Sequence, residues 1–177
     1  GRWAFAGSSL ANVTIPKSVT TIDRGAFASC GSLTEIQVAE NNISYSSDDG
    51  VLFNKNKTVL IQYPAGKSGH YTIPDNVTSI GPAAFYGCKI LTSVTIPNSI
   101  ISIGFEAFGE CISLTSVSIP NGVNTIGPDA FMECTSLTSV EIPDSVTTIR
   151  ERAFLGCSSL TSVTIPNPNA VIADDAF

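Results

Sequence analysis

The chain repeats itself every 23 residues, and a unit of that length cannot bury its own apolar side. The pair Ala-Phe ends at Phe85, Phe108, Phe131, Phe154 and Phe177, a constant step of 23, with earlier copies ending at Phe5 and Phe27, a step of 22. Ile-Pro recurs in phase with it at Ile15-Pro16, Ile73-Pro74, Ile96-Pro97, Ile119-Pro120, Ile142-Pro143 and Ile165-Pro166. Residues 114–136 give the whole unit, L-T-S-V-S-I-P-N-G-V-N-T-I-G-P-D-A-F-M-E-C-T-S. Each unit must lay its apolar side against the next, so the repeat dictates a stack of coils.

Within a unit, Leu-Thr-Ser-Val-Thr-Ile alternates polar and apolar residues at its Val and Ile, which marks a first strand buried on one face. Proline removes a backbone donor and stops the pairing, and the Asn or Asp after it turns the chain. A second short extended piece follows, as in Val146-Thr147-Thr148-Ile149, with its apolar residues three apart. The segment from Gly81-Pro82 to Cys88 has proline and glycine where a short helical turn accepts them. Stacked at about 4.8 Å, each apolar position becomes a ladder of like residues. Leu91, Leu114, Leu137 and Leu160 form one ladder and Val94, Val117, Val140 and Val163 a second. Ile96, Ile119, Ile142 and Ile165 form a third, and the phenylalanines a fourth.

The combination L-x-x-V-x-I-P, then Ala-Phe, then Cys at this period resembles the BspA-like, or Treponema pallidum-type, leucine-rich repeats. The likeness is close over residues 4–31 and 71–177 and looser between them. It implies a β-dominated α/β repeat fold, a right-handed leucine-rich-repeat solenoid with its parallel strand ladder on the concave side. It also implies a bacterial protein, cell-surface or secreted, in a family associated with adhesion to host proteins or other cells.

One region departs from the period. From Val38 to Ile73 the step is 35, so residues 39–72 form a modified repeat within a single domain spanning 1–177, itself expected to be part of a longer chain. Asp49-Gly50-Val51-Leu52-Phe53 has the phase of Asp23-Arg24-Gly25-Ala26-Phe27, and Leu60-Ile61-Gln62-Tyr63-Pro64 imitates the first strand and its stop. Between these, Asn54, Lys55, Asn56 and Lys57 are polar and turn-prone, which predicts a β-hairpin near residues 50–64 that protrudes from the coil.

An apolar content of 43% supports a sizeable core, whereas a net charge of −6 with only 14% charged residues repels nucleic-acid backbones. No run approaches the ~20 apolar residues of a membrane span, and the first residues lack the parts of a signal peptide.

Residues that could carry chemistry fit the repeat instead. Cys30, Cys88, Cys111, Cys134 and Cys157 each lie three residues after a repeat Phe, without the paired spacing of zinc ligands. Parallel Cβ vectors in a stack keep them too far apart to bridge, so five buried free thiols are expected. His70 is the only histidine, in a polar stretch where the repeat supplies no orienting acid or nucleophile. Gly66-Lys67-Ser68 lacks the first glycine of a phosphate loop, and Asp48-Asp49 lacks the ligand pattern of a calcium loop. Asn12, Asn56 and Asn76 sit in glycan-acceptor triplets that matter only in a glycosylating host. No catalytic residue, cofactor or metal is expected.

What the core leaves unexplained is the outward side of the first strands. The rows are Asn12, Glu35, Ser93, Ser116, Ser139 and Ser162, and Thr14, Gln37, Thr95, Ser118, Glu141 and Thr164. Small hydroxyls keep such a face wet, yet a continuous row is also the extended surface that solenoids use for binding. The absence of aromatic anchors there suits weak or multivalent contact. The sequence thus points to a non-catalytic protein-binding module, its site expected at these rows or at the hairpin. The competing expectation is a structural spacer that carries another domain.

Overall fold

Short apolar–polar alternations broken by proline or glycine give fourteen short strands and no helix. A computed structural model describes residues 1–177. The strands are β1 (Asn12–Ile15), β2 (Glu35–Val38), β3 (Tyr45–Asp48), β4 (Val51–Asn54), β5 (Val59–Gln62), β6 (Gly69–Thr72) and β7 (Ser79–Ile80). They continue as β8 (Leu91–Thr95), β9 (Ser102–Ile103), β10 (Ser116–Ser118), β11 (Thr125–Ile126), β12 (Ser139–Glu141), β13 (Thr148–Ile149) and β14 (Val171–Ile172). The chain is a β-dominated solenoid built on a parallel strand ladder.

First strands pair in parallel as β1–β2, β6–β8 and β10–β12, with Val117 opposite Val140 and a bridge from Glu141 to Thr164. The second, shorter strands make the longer sheet, in the order β14-β13-β11-β9-β7-β5-β4-β3. Between the sheets lie the expected ladders: Leu91, Leu114 and Leu137 are fully buried, as are Phe85, Phe108 and Phe131. The rings stack at 4.7 Å from Phe85 to Phe108, 5.1 Å to Phe131 and 5.3 Å to Phe154.

The segment after each second strand is not helical. Its amides alternate between a local turn and the next coil: Ala84 and Tyr86 donate to Gly81 and Ala83, whereas Ala83, Phe85 and Gly87 donate to Phe105, Ala107 and Gly109. Alternate donation needs a left-handed residue two before each Phe, and Ala83, Glu106, Asp129 and Arg152 sit there at φ between 53° and 57°. A helix would turn every donor inward and leave the coils unjoined.

The five cysteines are buried and unbridged. Each thiol turns back one coil: Cys111 donates to the Phe85 carbonyl at 3.1 Å, Cys134 to Phe108 at 3.1 Å and Cys157 to Phe131 at 3.2 Å. They are donors as well as fillers. Desolvation holds the Cys111 thiol well above the ordinary range. Thiol reagent added to the folded protein is therefore expected to find almost none of the five reactive, and all five after unfolding without reductant. A count of three or one would reveal bridges.

The modified repeat corrects the expectation of a protruding hairpin. β4 and β5 do pair antiparallel, but β3 pairs along the other side of β4, and the three strands join the long sheet through β5–β7. Val51, Leu52 and Phe53 are all buried, so β4 is covered on both faces, which is how an unbroken apolar run behaves. Val51 and Phe53 enter a core of 35 residues that runs to the C-terminal end; Leu52 enters a separate core of eight around Phe27 and Ile36. The Leu60 segment does not copy a first strand either. Leu60 pairs with Ile80, and Tyr63, rather than Phe53, continues the ring ladder, 5.1 Å from Phe85.

The same repeat is pinched out at the turn edge. Ser29 N bonds Tyr86 O at 3.0 Å, the link that adjacent coils make, although a whole modified repeat separates them in sequence. A Cβ on Gly87, at φ 71°, would lie 2.1 Å from the Ser29 hydroxyl, so the approach requires glycine. Arg24 lies 4.6 Å over the Phe105 ring, and Trp3 meets Tyr86 edge to face at 5.1 Å.

Candidate functional site

Alternation along the first strands turns Val and Ile inward and the residues between them outward. Thr95, Ser116, Ser118, Ser139, Glu141, Ser162 and Thr164 are exposed, and Ser93 is half-buried. The pairings Ser116 with Ser139 and Ser118 with Glu141 put them in two straight rows. The hydroxyls of Ser116, Ser118, Ser139, Ser162 and Thr164 are not consumed by the fold, whereas the flanking threonines are: Thr138 donates to Thr115 O at 3.0 Å.

His70 belongs to this face. It pairs with Ser93, and Thr72 pairs with Thr95, so β6 extends both rows by one coil. The signal was available in the sequence, since Tyr71-Thr72-Ile73-Pro74 aligns with Val94-Thr95-Ile96-Pro97. His70 Nδ1 lies 2.8 Å from Ser93 Oγ, and Nε2 lies 3.1 and 3.3 Å from the Thr72 and Thr95 hydroxyls. Its neighbours are hydroxyls, so the ring organises a hydroxyl cluster on this face.

The rows are not continuous from end to end. Beyond β2 the next neighbour is the turn at Asp48, Asp49 and Gly50: Ile36 N donates to Gly50 O, and Val38 N to Ser47 Oγ at 3.0 Å. Asn12, Thr14, Glu35 and Gln37 are thus separated from the rows that start at His70. A polar notch of about 380 Å³ marks the break, lined by Thr34, Glu35, Ser47, Asp49, Gly50 and Lys67. Lys67 bridges Asp49 at 2.6 Å across it.

The predicted hairpin residues are mostly tied down. Asn54 Oδ1 accepts from Thr58 N and Val59 N, Lys55 Nζ donates to Asn42 O at 2.6 Å, and Lys57 bridges Asp48 at 2.7 Å. Of the four, Asn56 has the free, exposed side chain. Sequence reasoning also overlooked the outer side of the long sheet, where Ser79 and Ser102 share a hydrogen bond of 2.8 Å and Ile101 is 60% exposed. No three His, Cys, Asp or Glu side chains converge as metal ligands. No helix is long and apolar enough to cross a membrane.

The profile of the BspA type leucine rich repeat region matches six copies, over residues 1–68 and 63–177. Solved structures agree. A leucine rich cell surface protein from Faecalibacterium prausnitzii is 33% identical, with a TM-score of 0.74 over 97% of this chain and 53% of its own. The pneumococcal vaccine antigen PcpA is 28% identical, with a TM-score of 0.80 over 98% of this chain and 50% of its own. The leucine rich repeat protein of T. pallidum is 28% identical, with a TM-score of 0.55 over 97% and 62%. The chain therefore spans between half and two thirds of the length of these relatives. None of the curated proteins is a significant match.

Proposed function

Because the chain belongs to the BspA-type leucine-rich repeat family, we propose that it is a non-catalytic protein-binding and adhesion module, displayed at a cell surface or secreted. The observation that carries this reading is the pair of outward rows from His70 to Thr164, whose hydroxyls face solvent while the interior is filled by ladders. The partner is a protein on a host or another cell. The descriptions of the F. prausnitzii and pneumococcal relatives, one a cell surface protein and the other a vaccine antigen, support exposure outside the cell.

The face is assigned to Ser93, Thr95, Ser116, Ser118, Ser139, Glu141, Ser162 and Thr164, joined by His70 and Thr72. Replacing Ser118 and Ser139 by Arg should change unfolding by no more than about 0.5 kcal/mol, since outward strand positions tolerate such changes. Adhesion of protein-coated beads to cultured cells and to immobilised extracellular proteins should fall about tenfold. Shortening the hairpin would break its internal bonds, so that site is better probed by Asn56→Arg. Adhesion equal to wild type for both variants would move recognition off these surfaces and favour a spacer that carries another domain.

A further inference from the structure

Three buried polar side-chain atoms have no hydrogen-bond partner, Arg24 Nε, Glu106 Oε2 and Asp129 Oδ1, and all three lie on one patch of the turn edge. Glu106 and Asp129 hold the same place in successive coils, two residues before Phe108 and Phe131, both at φ 54°. Glu106 N donates to Pro128 O at 3.0 Å, so the two carboxylates leave neighbouring backbones side by side. Arg24 packs on Phe105, the residue before Glu106. Asp129 is 1% exposed, and its other oxygen, Oδ2, accepts from Arg152 at 2.9 Å.

Glu106 is half-buried, but its Oε2, like Asp129 Oδ1, is shielded from solvent. Orphaned acceptors on adjacent carboxylates are costly there, because water does not reach these two oxygens and neither can donate to the other. A single proton would satisfy both at once. We propose that Glu106 and Asp129 hold one proton between them, Glu106 Oε2–H donating to Asp129 Oδ1, so that the turn edge is stabilised by acid.

The surrounding charges decide how firmly the proton is held. Burial and then the charge of Asp129 raise the Glu106 pKa; Arg24 and Arg152 oppose them, and Glu110 adds to the rise. The Tyr86 phenol, which also faces this patch, is committed to Glu110 at 2.7 Å, and Lys89 lies 3.7 Å from Glu110. A carboxyl that binds its proton more tightly folded than unfolded adds stability below its ordinary pKa and loses it as pH rises through the folded value. The patch joins two parts of the molecule. Arg24 comes from the coil of Phe27, Glu106 and Asp129 come from the regular stack, and the pinched repeat brings them together.

The test is thermal unfolding of the whole chain from about pH 4 to about pH 8 for wild type and Glu106→Gln. Glutamine offers an N–H in place of the shared proton and cannot ionise. The variant should melt close to wild type in acid and above it at the alkaline end, with a gap that widens with pH. A constant gap, or a variant that melts lower in alkali, would overturn the proposal. Carboxyl ¹³C resonances give a readout that does not depend on any variant's stability: Glu106 should titrate above the ordinary glutamate range in the wild-type protein. A titration within that range would also overturn the proposal. Asp129→Asn, if folded, should bring the Glu106 midpoint down; an unmoved midpoint would leave burial alone as the cause and refute sharing. A cation bridging the two oxygens would instead make stability rise with pH and fall with chelator, which is the opposite result.

Discussion

Phe108→Ala is expected to destabilise the protein by about 3–5 kcal/mol, the range for emptying a fully buried phenylalanine site. The ring is flanked on both sides, by Phe85 at 4.7 Å and Phe131 at 5.1 Å, so no neighbour can close the cavity without leaving its own stack. Phe177→Ala makes the same chemical change at a ring that is 49% exposed and stacked on one side only. It should cost about 1 kcal/mol. Because coils touch only their neighbours, a loss in the middle also weakens coupling along the stack. Urea unfolding of Phe108→Ala should therefore move to a lower midpoint and split into two transitions, whereas Phe177→Ala should keep one. Equal costs at the two positions would show that the ladder does not act as a packed stack.

Asn42→Ala is expected to cost about 2–4 kcal/mol, the second largest effect, from a residue with no place in the repeat pattern. Its side chain is fully buried and makes four hydrogen bonds. Nδ2 donates to Pro16 O and Val19 O at 2.9 and 3.0 Å, and Oδ1 accepts from Ser44 N and Tyr45 N at 2.8 Å each. It latches the turn after β1 to the entry of β3. Alanine would leave these backbone groups without partners where water reaches them poorly. Asn41 is the control: it is exposed, and Asn41→Ala should shift thermal unfolding by no more than about 0.5 kcal/mol. If the two variants melt alike, the modified repeat is held by its apolar strands alone.

The regular coils could be read from residues because one positional rule serves every copy. Val117 and Val140 face inward and Ser116 and Ser139 outward for the same reason, the two-residue period of a strand, and the 23-residue step fixes their pairing. The buried free cysteines followed from the same phase. The outward rows were legible as positions, and even His70 and Thr72 could have been added by aligning their Ile-Pro with the next. The turn segment was misjudged, since Pro and Gly suit a helical turn and a string of left-handed turns equally well. Only the demand that alternate amides reach the neighbouring coil selects the latter.

What the sequence by itself determined is the solenoid, its ladders and its family, because a repeated pattern must satisfy the same contacts in every copy. The tertiary structure alone decided what the modified repeat does, since its 35-residue step has no second copy to define its register. Local pattern allowed Val51, Leu52 and Phe53 to form one side of a free hairpin. Burial on both faces between two cores made them a central strand. The same packing cut the first-strand rows at the Asp49 turn, gave Asn42 rather than Asn41 the role of latch, and set Arg24 beside Glu106 and Asp129. These are contacts between residues far apart in the chain, and such contacts leave no periodic trace for a sequence to show.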